Sequence, residues 1–377
     1  VDFQAVFEPD ITDEIQFTRR AADILVELVE RLNKYTFEQM PLDVIGRVFE
    51  QLIPPEVRHS LGQYFTREDL VDFIIAFCVR NQDDRVLDPT CGTGTFLIRA
   101  YDRLKRMADK SHHELLTQLW GVDIARFPAQ LATINLFRQN LADYKNFPRI
   151  VSKDFFEVAP GDEFDFPPPR VGIDVSHTEK ERIPVFDAIV GNFPYIRQEL
   201  IERSNRGYKE YLKEVLWDDW RRDYPQLFQD HELSLSGQAD IYAYLFFHTA
   251  VHLKVGGRMG IVVSNAWLNV AYGYELQKFF LNKFKIIAIV ESRCEPWFED
   301  VAVNTVFTIL ERCEDPKQRA EHLVRFVKVK RPLAELLPQE LLLKEHDRWL
   351  KVNALVNKVN MADAQVATWN AAGEVEM

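Results

Sequence analysis

The stretch Val86-Leu87-Asp88-Pro89-Thr90-Cys91-Gly92-Thr93-Gly94-Thr95-Phe96 decides the fold. A short apolar strand ends in Asp-Pro, turns through small residues and enters a helix predicted from Phe96 to about Leu119. Glycines in such a turn let the backbone approach a ligand closely, because no Cβ intervenes and positive φ is open to them. The turn lacks the Lys of a phosphate-binding P-loop, which disfavours a nucleoside triphosphate. Its spacing also departs from G-x-G-x-x-G, since Leu97 stands where the third glycine belongs.

Outward from this unit the rhythm continues. Trp120-Gly121-Val122-Asp123-Ile124 reads as a second strand, and Ile150-Val151 as a third. Phe186–Val190, Met259–Val263, Ile286–Val290 and Thr305–Leu310 follow. Strands alternating with helices predict an α/β fold with a mostly parallel sheet. Upstream, residues 14–50 read as helix, with Ile24, Leu25, Leu28 and Leu32 at helical spacing, until Pro54-Pro55 interrupts. A further helix is expected from Glu68 to about Arg80, with Thr66 as its N-cap. Two segments break the rhythm: 157–184, with Pro167-Pro168-Pro169, reads as a loop insertion, and 197–240 as a polar, aromatic, partly helical one. Beyond 314 a strand (Val324 to Val329) and helices are expected.

Composition bounds the function. The 377 residues carry 46 Lys+Arg against 58 Asp+Glu, a net charge of -12 that argues against coating nucleic acid by bulk charge. Charge sums to -6 over residues 1–60, 0 over 61–160, -7 over 161–240 and +1 over 241–377, so the Gly-rich stretch lies in the balanced region. A 47% hydrophobic content fits a globular core and excludes whole-chain disorder or a disulfide scaffold. No apolar run approaches the ~18 residues of a membrane span. The chain starts at Val1-Asp2-Phe3-Gln4, without a signal segment or Met, and is read as a piece of something longer. Cys78, Cys91, Cys294 and Cys313 form no CxxC pair, so reduced thiols and a cytoplasmic setting are expected and zinc is not. His248 and His252 stand at i, i+4, but residue 249 is Thr where HExxH needs Glu; they are read as part of a helix face, and no metal is expected.

Asp123, at the end of the second strand, suits a ribose-binding carboxylate, although it lies 29 residues past Gly94 rather than the usual ~20. The longer first helix accounts for the excess, and a helix N-cap accounts equally for Asp123 taken alone. Asp154, after the third strand, is similar and weaker. In Ile189-Val190-Gly191-Asn192-Phe193-Pro194-Tyr195 an apolar strand runs into Asn-Phe-Pro-Tyr. Pro194 holds Phe193 extended, so its carbonyl can point outward beside the Asn192 amide. Two such oxygens can accept both hydrogens of one exocyclic NH₂ group, and the Tyr195 ring can stack on a planar heterocycle.

In this order the motifs resemble the S-adenosylmethionine-dependent N6-adenine DNA methyltransferases of restriction-modification and phage-defence systems, type IIG enzymes included. The match is with the gamma-type order, in which His59-Ser60-Leu61-Gly62-Gln63-Tyr64-Phe65-Thr66 precedes the Gly-rich motif. Asp240-Ile241-Tyr242, Leu253-Lys254-Val255-Gly256-Gly257-Arg258 and Val303-Asn304-Thr305-Val306-Phe307 also match, so that the resemblance covers roughly residues 40–312. Phe193 replaces the first proline of the usual Asn-Pro-Pro-Tyr, where the residue acts through its carbonyl, and Arg67 replaces the proline after Thr66. The resemblance implies a Rossmann-like, doubly wound sheet of seven mostly parallel strands, preceded by a helical region over 1–58. The catalytic domain would span 59–312 with the two insertions. Residues 313–377 would form a tail, the start of or linker to a target-recognition domain.

The same resemblance implies roles. Tyr64, Thr66, Thr90, Gly92 and Gly94 would hold the methionine end of the cofactor, with Asp88 near its ammonium. Asp123 would bind the ribose and Asp154 the adenine amine, with Ile124 or Phe155 against the adenine face. Asn192, Phe193, Pro194 and Tyr195 would hold the target base, and the aromatic segment 197–240 would close over it. Double-stranded DNA is the implied partner, with recognition supplied by a further domain or specificity subunit. Rival readings are transfer to cytosine N4, RNA guanine or protein glutamine, or a catalytically silent binding subunit.

Overall fold

Residues 16–32, 34, 66–140, 147–166, 179–197, 201, 206–230, 232–298, 304–338 and 344–360 are described by a computed structural model. Tyr64 and the rest of the box before Thr66 lie outside them, as do most of residues 33–65 and Val303. Within the predicted 14–50 helical stretch, α1 spans Arg19–Leu32. The next elements are α2 (Glu68–Cys78), β1 (Val86–Asp88), α3 (Thr95–Met107), α4 (His112–Thr117), β2 (Leu119–Asp123), α5 (Arg126–Phe137) and β3 (Arg149–Ser152). A small antiparallel pair, β4 (Glu163–Phe166) and β5 (Glu179–Arg182), stands in the first insertion, which the sequence suggested as loop.

β6 (Phe186–Asn192) returns to the main sheet. The second insertion holds α6 (Tyr208–Trp220) and a short pair, β7 (Phe228–Gln229) with β8 (Glu232–Leu233). Then come α7 (Ile241–Val251), β9 (Leu253–Ser264), α8 (Gly273–Lys283), β10 (Phe284–Ser292) and β11 (Thr305–Arg312). The chain continues through α9 (Pro316–Glu321), β12 (Arg325–Val329), α10 (Leu333–Leu336) and α11 (Glu345–Asn360).

The main sheet has the order β12-β10-β11-β9-β6-β1-β2-β3. Neighbours run parallel except at β11, which is antiparallel to both β9 and β10. Eight strands therefore replace the expected seven: β12, from the expected tail, pairs in parallel with β10 and extends the sheet. From β1 the chain winds to β2 and β3 on one side, and β6 then pairs on the other. The C-terminal ends of β1 and β6 thus flank a topological switch point, where open α/β sheets bind ligands.

Side-chain alternation gives each sheet face its own core. Ala188, Val190, Val262 and Phe307 face one, and Ile189, Ile261, Val263 and Val306 the other. α2 is buried along its whole length, which its apolar run Phe73-Ile74-Ile75-Ala76-Phe77 dictates. It packs on β6, β9 and β11 and against α3 and α11. Val352, Leu355, Val356 and Val359 of α11 enter the same core.

A buried ionic knot holds this corner. The Asp72 carboxylate accepts from Arg99 Nε at 2.6 Å and from Arg348 Nε, with all three side chains at most 1% exposed. Arg99 also donates to both oxygens of Glu345, at 2.8 and 2.9 Å. Among the described residues no helix is long and apolar enough to cross a membrane.

Candidate active site

The Gly-rich turn and the Asn-Phe-Pro-Tyr loop meet at the switch point. Asp88 ends β1 and is 1% exposed; its Oδ1 accepts the Thr90 N–H at 3.2 Å. Gly191 makes this fit possible, because a Cβ there would stand 2.8 Å from Asp88 Oδ1. Thr90 Oγ1 donates to the Asn192 carbonyl at 3.2 Å, tying the two loops together. Across the turn, the Gly92 N–H donates to Asp123 Oδ2 at 2.8 Å and the Ala125 N–H to Asp123 Oδ1 at 2.8 Å. Gly92 has φ +52°, and a Cβ there would project into open space.

Burial raises the Asp88 carboxyl well above the ordinary carboxylate range against the Thr90 N–H, and the Asp123 charge adds to the rise. Burial also raises Asp123, against its two N–H donors. The Cys91 thiol is pushed far up by burial and by both carboxylates, which makes it an inert packing group rather than a nucleophile. The turn thus brings two buried acids together beside a glycine whose Cβ position is open.

The target-side loop separates main chain from side chain. The Phe193 ring is fully buried, 5.1 Å from the Phe246 ring at 64°, and the Phe193 N–H donates to the Val262 carbonyl at 3.2 Å. A large apolar residue in place of proline is therefore anchored by packing. Asn192 and Tyr195 remain partly exposed, and the Tyr195 hydroxyl donates to Asn192 Oδ1 at 2.8 Å. Phe298, from the loop after β10, packs edge-on to Tyr195 at 6.2 Å; nothing in its sequence position had singled it out. Beyond Pro194 and Tyr195, the Ile196 carbonyl accepts the Ile241 N–H at the start of α7. There Asp240 accepts from the Tyr272 hydroxyl at 3.0 Å, and Tyr272 bonds Tyr242 at 2.6 Å.

Other expected residues fall less simply. Thr66 is buried, but the N-cap position of α2 is Arg67, with no side-chain cap bond. Arg67 instead pairs with Asp69 at 2.5 Å and Glu295 at 3.2 Å. Ile124 is 72% exposed beside Asp123. The Phe155 ring is buried against His248 and His252, at 5.0 and 4.9 Å, on the core side of its turn. Those histidines are staples: His248 bonds Asp219 at 2.7 Å and the Phe155 carbonyl at 3.0 Å, and His252 bonds the Val158 carbonyl at 3.0 Å. Asp154 caps the short turn after β3 by accepting the Phe156 N–H at 3.1 Å, and it also accepts the Tyr208 hydroxyl. The aromatic insertion packs inward: Trp220 is buried on Phe279 and donates to the Phe247 carbonyl, and Trp217 meets Phe228.

A doubly wound sheet with one antiparallel strand near its edge, an acidic Gly-rich turn and an Asn-Phe-Pro-Tyr loop at the switch point defines the Rossmann-like methyltransferase fold. Residues 41–348 match the family described as N-6 DNA Methylase, and the chain belongs to that family. It is 24% identical over 277 residues to the type II methyltransferase M.PaeR7I of Pseudomonas aeruginosa, covering 67% of this chain and 40% of that protein. The methyltransferase subunit of a type I restriction-modification system from Streptococcus thermophilus superposes with a TM-score of 0.54 at 17% identity, over 89% of this chain and 63% of that one. The type IIG restriction endonuclease BpuSI gives 0.54 at 16% identity, over 80% of this chain and 29% of BpuSI. The chain spans about two fifths of the length of the first curated relatives it matches.

Proposed function

We propose that this chain transfers a methyl group from S-adenosylmethionine to the N6 amine of an adenine flipped out of DNA, as the modification part of a restriction-modification or phage-defence system. The observation that carries the reading is the pairing at the switch point. The loop that carries the Asn192 amide is tied by Thr90 to a turn lined by two buried acids.

Asp88 is suited to the ammonium of the cofactor, and Asp123 to its ribose hydroxyls. Gly92 leaves room for the methionine portion, with Thr66, Thr90 and Gly94 around it. Asp154 takes the adenine amine and the exposed Ile124 covers the ring, while the buried Phe155 ring supports the turn from beneath. Tyr64 joins them by resemblance alone. When bound, the cofactor supplies an electrophilic methyl on a sulfonium.

The chain's own residues make the amine reactive. Its lone pair is conjugated into the base, and Asn192 Oδ1 and the Phe193 carbonyl accept its two hydrogens and hold the lone pair out of conjugation. Orientation supplies much of the rate. The base must leave the duplex to reach them, and stacking on Tyr195 is worth roughly 1–3 kcal/mol. Strong DNA binding and sequence choice come from a further domain or partner, because a chain of charge -12 holds phosphates weakly by itself.

Calorimetry with S-adenosylmethionine tests the cofactor: wild type binds, and Asp123→Ala binds at least tenfold more weakly. Asn192→Ala keeps cofactor binding but loses roughly 10²–10³-fold in transfer from labelled cofactor, the scale of one lost charge-stabilising group in other active sites. Nucleoside analysis of the product then separates N6-methyladenine from N4-methylcytosine. No binding by wild type sinks the enzyme reading.

A further inference from the structure

The second insertion reaches the cofactor side of the site through two phenols. α6 opens at Gly207, whose φ is +84°, and one turn of helix carries both Tyr208 and Tyr211. The Tyr211 hydroxyl donates to the Phe156 carbonyl at 3.1 Å, gripping the backbone of the turn after β3. The Tyr208 hydroxyl donates to Asp154 Oδ2, while Oδ1 of the same carboxylate takes the Phe156 N–H at 3.1 Å. The Tyr208 ring also stands edge-on to Phe156 at 6.4 Å and 83°. Each carboxylate oxygen is thus fixed by one donor and keeps lone-pair capacity for another.

We propose that Tyr208 is a positioning residue that orients Asp154 toward the exocyclic amine of the cofactor's adenine, so that the second insertion sets the cofactor's base specificity. This rests on the methyltransferase reading above. Burial and the Asp154 charge both drive the Tyr208 phenol upward, so it stays a donor across the working pH range. A phenol that can only donate to the carboxylate leaves that group as the acceptor for an amine. Purine cofactors lacking the amine, or carrying a carbonyl in its place, forfeit the contact or meet an acceptor with an acceptor. The segment that contacts Asp154 is the one that runs on from the Asn192–Tyr195 loop, which places one stretch of chain beside both ligands.

The test measures affinity for S-adenosylmethionine and for its analogue with hydrogen in place of the adenine amine. The proteins are wild type, Tyr208→Phe and Tyr211→Phe. Wild type is expected to prefer the natural cofactor by about tenfold or more, the scale of a hydrogen bond to a charged group. Tyr208→Phe is expected to shrink that preference to about twofold, chiefly by weakening the natural cofactor, with the rate at saturating cofactor little changed. Tyr211→Phe, which loses only a backbone contact, keeps the preference and melts at lower temperature. Equal weakening of both cofactors by Tyr208→Phe, or an unchanged preference, overturns the positioning role. A wild type that binds natural cofactor without any preference overturns it too, and the methyltransferase reading survives. A wild type that binds neither cofactor overturns both.

Discussion

Asp72, within α2, and Asp88, at the end of β1, are both buried aspartates, at 0% and 1% exposure, and they live in opposite electrostatic worlds. Asp72 is held by Arg99 and Arg348, and Arg99 shares a second carboxylate, Glu345. Among the described residues the Thr90 N–H favours the Asp88 charge, and the Asp123 charge opposes it. Burying an unmatched carboxylate costs several kcal/mol, so a fold that keeps one has a use for it. On the proposed reading the matched acid is architecture, and the unmatched one at the switch point is the partner of the cofactor's ammonium. Changing each in turn tests that distinction.

The largest effect is expected from Asp72→Ala. It strips Arg348 of its carboxylate and leaves Arg99 with Glu345 alone, and breaking a buried ion pair from one side costs about 3–5 kcal/mol. Denaturant unfolding at neutral pH should show the loss. The variant that remains folded should bind cofactor with little change, because the knot lies on the α2–α3–α11 corner rather than at the strand ends. A loss below about 1 kcal/mol would mean that the Arg99–Glu345 pair alone holds that corner.

Asp88→Asn should do the reverse. The folded carboxyl is raised above its unfolded value, so the free protein is at its most stable below the ordinary carboxylate range and loses stability as pH climbs through the raised value. The amide has no charge to bury. Free Asp88→Asn should therefore match or exceed wild type at neutral pH, with the difference vanishing in acid. Cofactor binding should weaken about 10–100-fold, the scale of a charge-assisted contact. A cation bound beside a carboxyl raised by burial favours its ionised form, so wild-type binding should release protons at pH values where the free carboxyl holds one. Calorimetry in buffers of different ionisation enthalpy reads that release, and its disappearance in Asp88→Asn completes the comparison. If Asp88→Asn instead lowers free stability at neutral pH, the unmatched charge is not what distinguishes this corner.

How much of this the sequence carries follows the same division. The Gly-rich turn, Asp123 and Asn192–Tyr195 are legible because the chemistry is local: strand, turn and donor type stand within a few residues of each other. The strand-and-helix rhythm likewise shows the parallel sheet. The knot is illegible, since Asp72, Arg99 and Arg348 are brought together across 276 positions and each alone reads as a surface charge. For the same reason the segment after 313 reads as a tail, although β12 completes the sheet and α11 seals one core. Thr66 reads as a cap because its residue type fits, but the chain enters α2 one residue later. Phe193 is half legible: the motif suggests a role for its carbonyl, and only the fold shows the ring locked on Phe246.

The smallest effect concerns the hydroxyl that bonds the proposed amine acceptor. In this structure Tyr195 donates to Asn192 Oδ1 at 2.8 Å, the same oxygen that must accept a hydrogen of the target amine. The base therefore exchanges one donor for another as it enters, and the net value of such a neutral bond is about 0.5–1.5 kcal/mol. Tyr195→Phe keeps the stacking ring and removes the competitor. DNA affinity, measured with a cofactor analogue that cannot react, should rise about two- to fivefold, with kcat within about twofold of wild type. Unchanged affinity with a clear fall in kcat would assign the hydroxyl the opposite duty, holding the Asn192 amide in line for the base. Because the ring stays in either case, the outcome separates what the phenol's oxygen does from what its face does.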